Sequence, residues 1–344
     1  MSLQALKPSQ VANWLEIMFA AGRNPMLHGE PGLGKSEVTS QTADKLCSGL
    51  YPEYKSGPRP WFIEVRAAQV DAVDLRGLPE VRDGLTHWVK PAFLPTDPRG
   101  GIIFLDEINR GAEIVQNALF QLCDQGVIGD YRMPERWHIA SAVNDKDVGA
   151  RKMSAALTRR FVHADMATDL DDVVRFGASQ NWHPMVTAFL RSFPGSLHKF
   201  DPAERVSPNP RAWSFVSYIM KQTPKMDMLP ALVAGAVGEG AAIEFIGFVQ
   251  LWSTLPPIEN IFTDPLHTPV PSGASSRYAI SAAIARRVTE KTLSNAILYL
   301  DRMPVEYNIA SVTEAAMRNP DLTGCSAYTN WMLAHADVTL EARV

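Results

Sequence analysis

Residues 29–36 read Gly29-Glu30-Pro31-Gly32-Leu33-Gly34-Lys35-Ser36, the spacing Gly-x-x-x-x-Gly-Lys-Ser. Asn24-Pro25-Met26-Leu27-His28 before it suits a short buried strand, and residues 37–46 after it suit a helix. A glycine-rich turn in that place lets successive backbone N–H groups curl toward an anion. The helix that follows adds its positive dipole end. Lys35 supplies a cation for phosphate oxygens and Ser36 a hydroxyl for Mg²⁺. The plainer alternative is a glycine turn without a ligand, which the strand–loop–helix context disfavours. The candidate nucleotide-binding residues are Gly29, Glu30, Pro31, Gly32, Leu33, Gly34, Lys35, Ser36 and Glu37.

A second stretch, Gly101-Ile102-Ile103-Phe104-Leu105-Asp106-Glu107, is an apolar run closed by two acids. Such a run suits a strand buried on both faces of a parallel sheet. Asp106 at its carboxyl end is the candidate metal ligand with Ser36, and Glu107 the candidate base for an attacking water. Open α/β sheets place ligands at the carboxyl ends of their strands.

The chain has 344 residues, 46% hydrophobic and 20% charged, enough for two domains with a core each. A net charge of −4 provides no strong basic field for nucleic acid. Cys47, Cys123 and Cys325 are far apart and lack metal-ligand spacing, so free thiols in a reducing cytoplasm are expected. Neither a membrane span nor a signal peptide is expected.

Along the chain, the spacing predicts helices over 9–21 and 112–124, strands over 61–66 and 137–143, a short helix over 154–161 and a strand over 161–166. Residues 69–95 read as irregular apart from a hairpin around Arg82-Asp83-Gly84, and residues 127–137 as a second hairpin. The alternation predicts a mostly parallel, helix-covered sheet in a domain over 1–168. Residues 169–344 read as helical, with helices over 171–193, 211–222, 229–252, 278–301 and 305–317 and a further one in the tail. The proline-rich stretch 255–277 reads as an extended connection.

Four further positions carry polar groups where chemistry would need them. Asn144 ends a strand expected between the loop strand and the Asp106 strand, where an amide orients water near a γ-phosphate. Arg159 and Arg160 follow a short helix, and either could complete a neighbour's site. Arg211 stands in the first turn of a helix, where a positive charge opposes the dipole. In this order the motifs resemble an AAA+ ATPase: two Walker motifs, a first sensor, an arginine finger and a second sensor. Asp74-Leu75-Arg76-Gly77-Leu78-Pro79, with Trp88 and Pro91-Ala92-Phe93-Leu94-Pro95, is similar to MoxR-like and dynein-related members.

The resemblance covers residues 8 to about 220. It implies an α/β phosphate-loop core with two hairpin insertions and a helical lid. It implies Mg²⁺ and ATP at the interfaces of a homo-oligomeric ring, usually a hexamer, hydrolysing ATP to remodel a protein client. It also implies a partner carrying a von Willebrand factor A domain. A nucleic-acid motor is less favoured, because Arg76, Arg82 and Lys90 in the first hairpin are nearly balanced by Glu80 and Asp83. An assembly switch without turnover remains a third class, against which Glu107 argues. A guanine-reading loop would need Asn-Lys-x-Asp, whereas Lys146 in Asn144-Asp145-Lys146-Asp147 falls one position late.

Overall fold

The computed structural model describes residues 5–144, 151–201, 203–252 and 255–335. The chain divides into two units, Met1–Thr168 and Asp169–Val344.

The first unit runs α1 (Pro8–Ala20), β1 (Asn24–His28), α2 (Lys35–Cys47), β2 (Phe62–Arg66), α3 (Ala72–Arg76), β3 (Leu78–Arg82), β4 (Leu85–Val89), β5 (Gly101–Asp106), α4 (Glu113–Gln125), β6 (Val127–Ile128), β7 (Tyr131–Arg132), β8 (Trp137–Val143), α5 (Ala155–Thr158) and β9 (Phe161–Asp165). Its main sheet has the order β2-β5-β8-β1-β9, and every pairing is parallel. Side chains alternate across a strand, so neighbours in β5 enter different cores. Ile103 and Leu105 pack with Val115, Leu119 and Leu122 of α4. Ile102 and Phe104 pack with Val11, Leu15 and Phe19 of α1 and Val38 of α2. Helices thus cover both faces, which is why β5 reads as a continuous apolar run rather than an alternating one.

Residues 69–95 are less irregular than expected. α3 forms there because Asp71 accepts from its third-residue N–H and Asp74 accepts from the Asp71 N–H at 2.8 Å. That is a carboxylate form of the reciprocal N-terminal cap. β3 and β4 form an antiparallel hairpin whose turn, Asp83 and Gly84, has positive φ at both residues. This mirror-image turn matches the right-handed strand twist. Gly77 at its base has φ +86°, and a Cβ there would lie 1.9 Å from the Val89 oxygen. Only glycine fits. Every residue of both strands is exposed, Leu78, Val81, Leu85 and Val89 included. Asp130, in the β6–β7 turn, accepts from the Trp88 N–H at 3.3 Å.

The second unit contains α6 (Leu170–Ser179), α7 (Pro184–Ser192), α8 (Pro210–Lys221), α9 (Leu229–Val237), α10 (Glu239–Trp252), α11 (Ile258–Thr263), α12 (Ala274–Arg287), α13 (Leu293–Leu300), α14 (Val305–Arg318) and α15 (Ser326–Ala334). Three sequence expectations change here. The helix over 171–193 is two, because Asn181 takes positive φ and Pro184 opens α7 behind His183 as its N-cap. The helix over 278–301 breaks at Val288–Thr292, where the Thr292 hydroxyl accepts from the Thr289 N–H. The stretch 255–277 is not merely extended: Ile258 and Ile261, spaced i and i+3, are buried in α11. Proline content hid that periodicity. In the tail, α15 accounts for the expected helix, and residues 336–344 lie outside those described.

Phe189 stands at the centre of one core with Trp213, Phe245 and Phe248 around it. Glu314 is buried beside Arg191 and Arg318, both at 2.9 Å, so its charge is paired on two sides. Among the described residues no helix is long and apolar enough to cross a membrane.

Candidate functional site: a phosphate loop facing two carboxylates

Gly34 takes φ +98° and precedes α2 as its N-cap, with no side chain capping the helix. A Cβ at Gly34 would meet nothing within 4 Å, so the space beside the first turn of α2 is open. Uncapped N–H groups at a helix start, facing an open cradle, form an anion site. The expected loop residues all lie there: Gly29 to Gly34 join β1 to α2, and Lys35, Ser36 and Glu37 form its first turn. Glu37 is exposed and accepts a hydrogen bond from Gln41.

Lys35 is buried, and its ammonium donates to the oxygens of Gly29 at 2.6 Å and Glu30 at 3.0 Å. A third bond, at 2.6 Å, reaches Oδ1 of Asn144 at the end of β8. β8 lies between β5 and β1 in the sheet, so Asn144 stands between the loop and the acidic strand end. Its Nδ2 donates toward Oε1 of Glu107 at 3.4 Å. Lys35, Asn144 and Glu107 are thereby joined although they come from three separate elements.

Asp106 ends β5, with Oδ2 3.5 Å from the Ser36 hydroxyl. Its carboxyl is held above its ordinary range, chiefly by burial and then by the charges of Glu107 and Glu64. The Glu107 N–H, 3.0 Å from Oδ1, and the Lys35 charge oppose that rise. A carboxylate crowded by carboxylates and paired with a hydroxyl is a hard-oxygen donor set, and a divalent cation would relieve it. Among the described residues no cluster of three or more His, Cys, Asp or Glu could hold a metal ion. A Mg²⁺ site completed by phosphate oxygens needs only one or two protein carboxylates.

Glu107 adopts φ 50° and ψ 40°, a left-handed conformation costly for a residue with a Cβ. Its second oxygen, Oε2, receives Arg110 at 3.2 Å. Sequence reasoning missed Arg110 and its neighbour Asn109. The buried Asn109 donates from Nδ2 to the Asn144 oxygen at 3.2 Å, and its Oδ1 has no partner among the described residues. The only sequence signal was their position just beyond the two acids.

Arg159 and Arg160 follow α5 and differ in surroundings. Arg160 is paired with Asp124 and stacks over Phe120, 5.1 Å from the ring centre. Arg159 is exposed and makes no ion pair among the described residues. Arg211 lies in the second unit, exposed in the first turn of α8, where Asn209 caps the helix by accepting from the Ala212 N–H.

The parallel sheet order, the loop and the acidic strand end define a phosphate-loop NTPase core with a second, helical unit. Residues 24–161 match the family model of the AAA domain (dynein-related subfamily), and this part of the chain is an AAA+ domain of that subfamily. No curated protein matches the chain. Solved structures that align with it include NtrX from Brucella abortus, 16% identical over 92% of this chain and 67% of that one, TM-score 0.41. The same protein in complex with ADP is 17% identical over the same shares, TM-score 0.41. A RuvB mutant from Thermotoga maritima is 13% identical over 95% of this chain and 86% of that one, TM-score 0.32.

Proposed function

We propose that this chain is an ATP-hydrolysing motor subunit of the MoxR-like kind, working in a homo-oligomeric, hexameric ring on a protein client. The observation that carries the reading is the bonded series Lys35–Asn144–Glu107, which ties a phosphate-binding cation to a carboxylate at a strand end. In this reading the loop N–H groups and Lys35 bind the phosphates, Glu107 takes the proton of the attacking water, and Asn144 orients that water. Ser36 and Asp106 would hold Mg²⁺, which would supply charge neutralisation for the phosphates there. Of the two arginines, Arg159 is the better candidate finger, because Arg160 is already committed to Asp124. Arg211 is the candidate second sensor of a helical lid.

The exposed apolar residues of β3 and β4 offer a client surface, and the near-balanced charge of that hairpin favours protein over nucleic acid. A partner with a von Willebrand factor A domain belongs to the same reading and rests on the resemblance alone, while a cytoplasmic location rests on the three free, dispersed cysteines. The test is steady-state ATPase activity against protein concentration, with mass photometry on the same samples. Activity per subunit that climbs as rings form is the expected result. Turnover that stays flat in a monomer, or that survives Lys35→Ala, would overturn the proposal.

A further inference from the structure

We propose that His28 and His163 form a two-histidine relay that positions Arg159. The inference rests on the reading of Arg159 as the residue that completes a neighbouring site.

β1 and β9 are parallel neighbours in register Met26↔His163 and His28↔Asp165. His28 is two residues beyond Met26, so it lies on the same face as His163, one pleat further on. Nε2 of His28 is 2.7 Å from Nδ1 of His163, and Nε2 of His163 is 2.9 Å from the carbonyl oxygen of Thr158. A carbonyl only accepts, so neutral His163 carries its hydrogen on Nε2 and accepts at Nδ1. His28 must then donate from Nε2. One tautomer assignment satisfies the whole series.

The two ends of that series give it its meaning. His28 immediately precedes Gly29, the first residue of the phosphate loop. The Thr158 carbonyl belongs to the peptide that leads into Arg159, and it is one of the carbonyls the end of α5 leaves without a helical donor. His163 therefore fastens the peptide from which Arg159 projects to the strand that delivers the loop. On the other side, Arg160 is fastened to α4 through Asp124 and Phe120. The turn is held at both flanks, and the exposed Arg159 side chain lies between them. A histidine that merely satisfied a helix-end carbonyl would affect stability alone. A positioning histidine also sets where the guanidinium can reach.

The test is a double-mutant cycle on the full chain at ring-forming concentration, measuring kcat, KM for ATP, melting temperature and binding of a fluorescent ATP analogue. His163→Phe keeps the ring volume and removes both hydrogen bonds; it should lower kcat roughly tenfold or more with KM changed less than about twofold, since small misplacements of a catalytic group cost that much. His163→Gln, which can donate and accept at similar places, should recover most of the loss. In an Arg159→Ala background, His163→Phe should cost nothing further. Should His163→Phe not fold, His28→Phe, which removes the first bond and leaves His163 on the Thr158 oxygen, should show a smaller loss with the same dependence on Arg159. Wild-type kcat in the histidine variants, or losses that multiply in the double variant, would overturn the relay. Wild-type kcat in Arg159→Ala would instead overturn the arginine assignment beneath it.

Discussion

Replacing Asn144 with alanine tests the junction on which the site depends. The amide oxygen accepts from the buried Lys35 ammonium at 2.6 Å, beside the Gly29 and Glu30 oxygens. Removing it leaves the Gly29 and Glu30 oxygens, so Lys35 is weakened and not stranded. A hydrogen bond to a charged group contributes about 1.5–3 kcal/mol, and with two acceptors retained the lower figure, about 1.5 kcal/mol, applies. The 3.4 Å contact to Glu107 is long and adds little. For a unit of this size that corresponds to a fall in Tm of about 3–6 °C. The assay is thermal unfolding without nucleotide, followed by ATP turnover on the folded variant. Turnover should fall by more than the loss of folded protein explains, because the amide that orients the attacking water is gone as well. An unchanged Tm together with unchanged turnover would refute the reasoning.

Glu107→Gln keeps the side-chain shape but removes the proton acceptor; kcat should fall roughly 10²–10⁴-fold in a steady-state phosphate-release assay, with nucleotide affinity nearly unchanged. For Asp106 the folded protein holds the carboxyl above its ordinary range through burial and neighbouring charge, so ionising it at neutral pH costs the folded state more than the unfolded one. Asp106→Asn should therefore raise the melting temperature of the nucleotide-free protein while abolishing added stabilisation by Mg²⁺ with ATP, both read by differential scanning fluorimetry. His183, in the second unit, is depressed to about 4, first by burial and then by Arg286, Lys221 and Arg318. An unfolded chain takes up that proton near pH 6.5, so stability is complete above that value and declines as pH falls from 6.5 toward 4. His183→Asn keeps an N-cap acceptor for α7 and should flatten that acid limb in pH-dependent melts.

The fold was legible where the signals were local. The loop at 29–36 needs glycines at fixed offsets, β5 needs an apolar run, and the Asp83-Gly84 turn needs positive φ; each leaves a mark a few residues long. α3 was equally local, since Asp71 and Asp74 form the cap, yet a five-residue helix has too short a period to stand out. α11 was hidden because tertiary burial of Ile258 and Ile261 outweighs a proline-rich composition. In the site, Lys35, Asp106, Glu107 and Asn144 are nameable from motif order. Their linkage is not, because Lys35 and Asn144 are 109 residues apart in sequence. The preference between Arg159 and Arg160 rests on Asp124, and the histidine series on a pairing 135 residues apart. Neither has a sequence pattern.

The central claim is a site shared between subunits, with Glu107 from one and Arg159 from the next. Mixing two inactive variants, Glu107→Gln and Arg159→Ala, tests it most directly. In a head-to-tail ring of equal mixture, about one interface in four pairs an intact Glu107 with an intact Arg159 from its neighbour. The account predicts that ATP turnover returns on mixing to a corresponding fraction of wild type. A mixture that stays as inactive as its components, in rings shown by mass photometry to contain both variants, would contradict it.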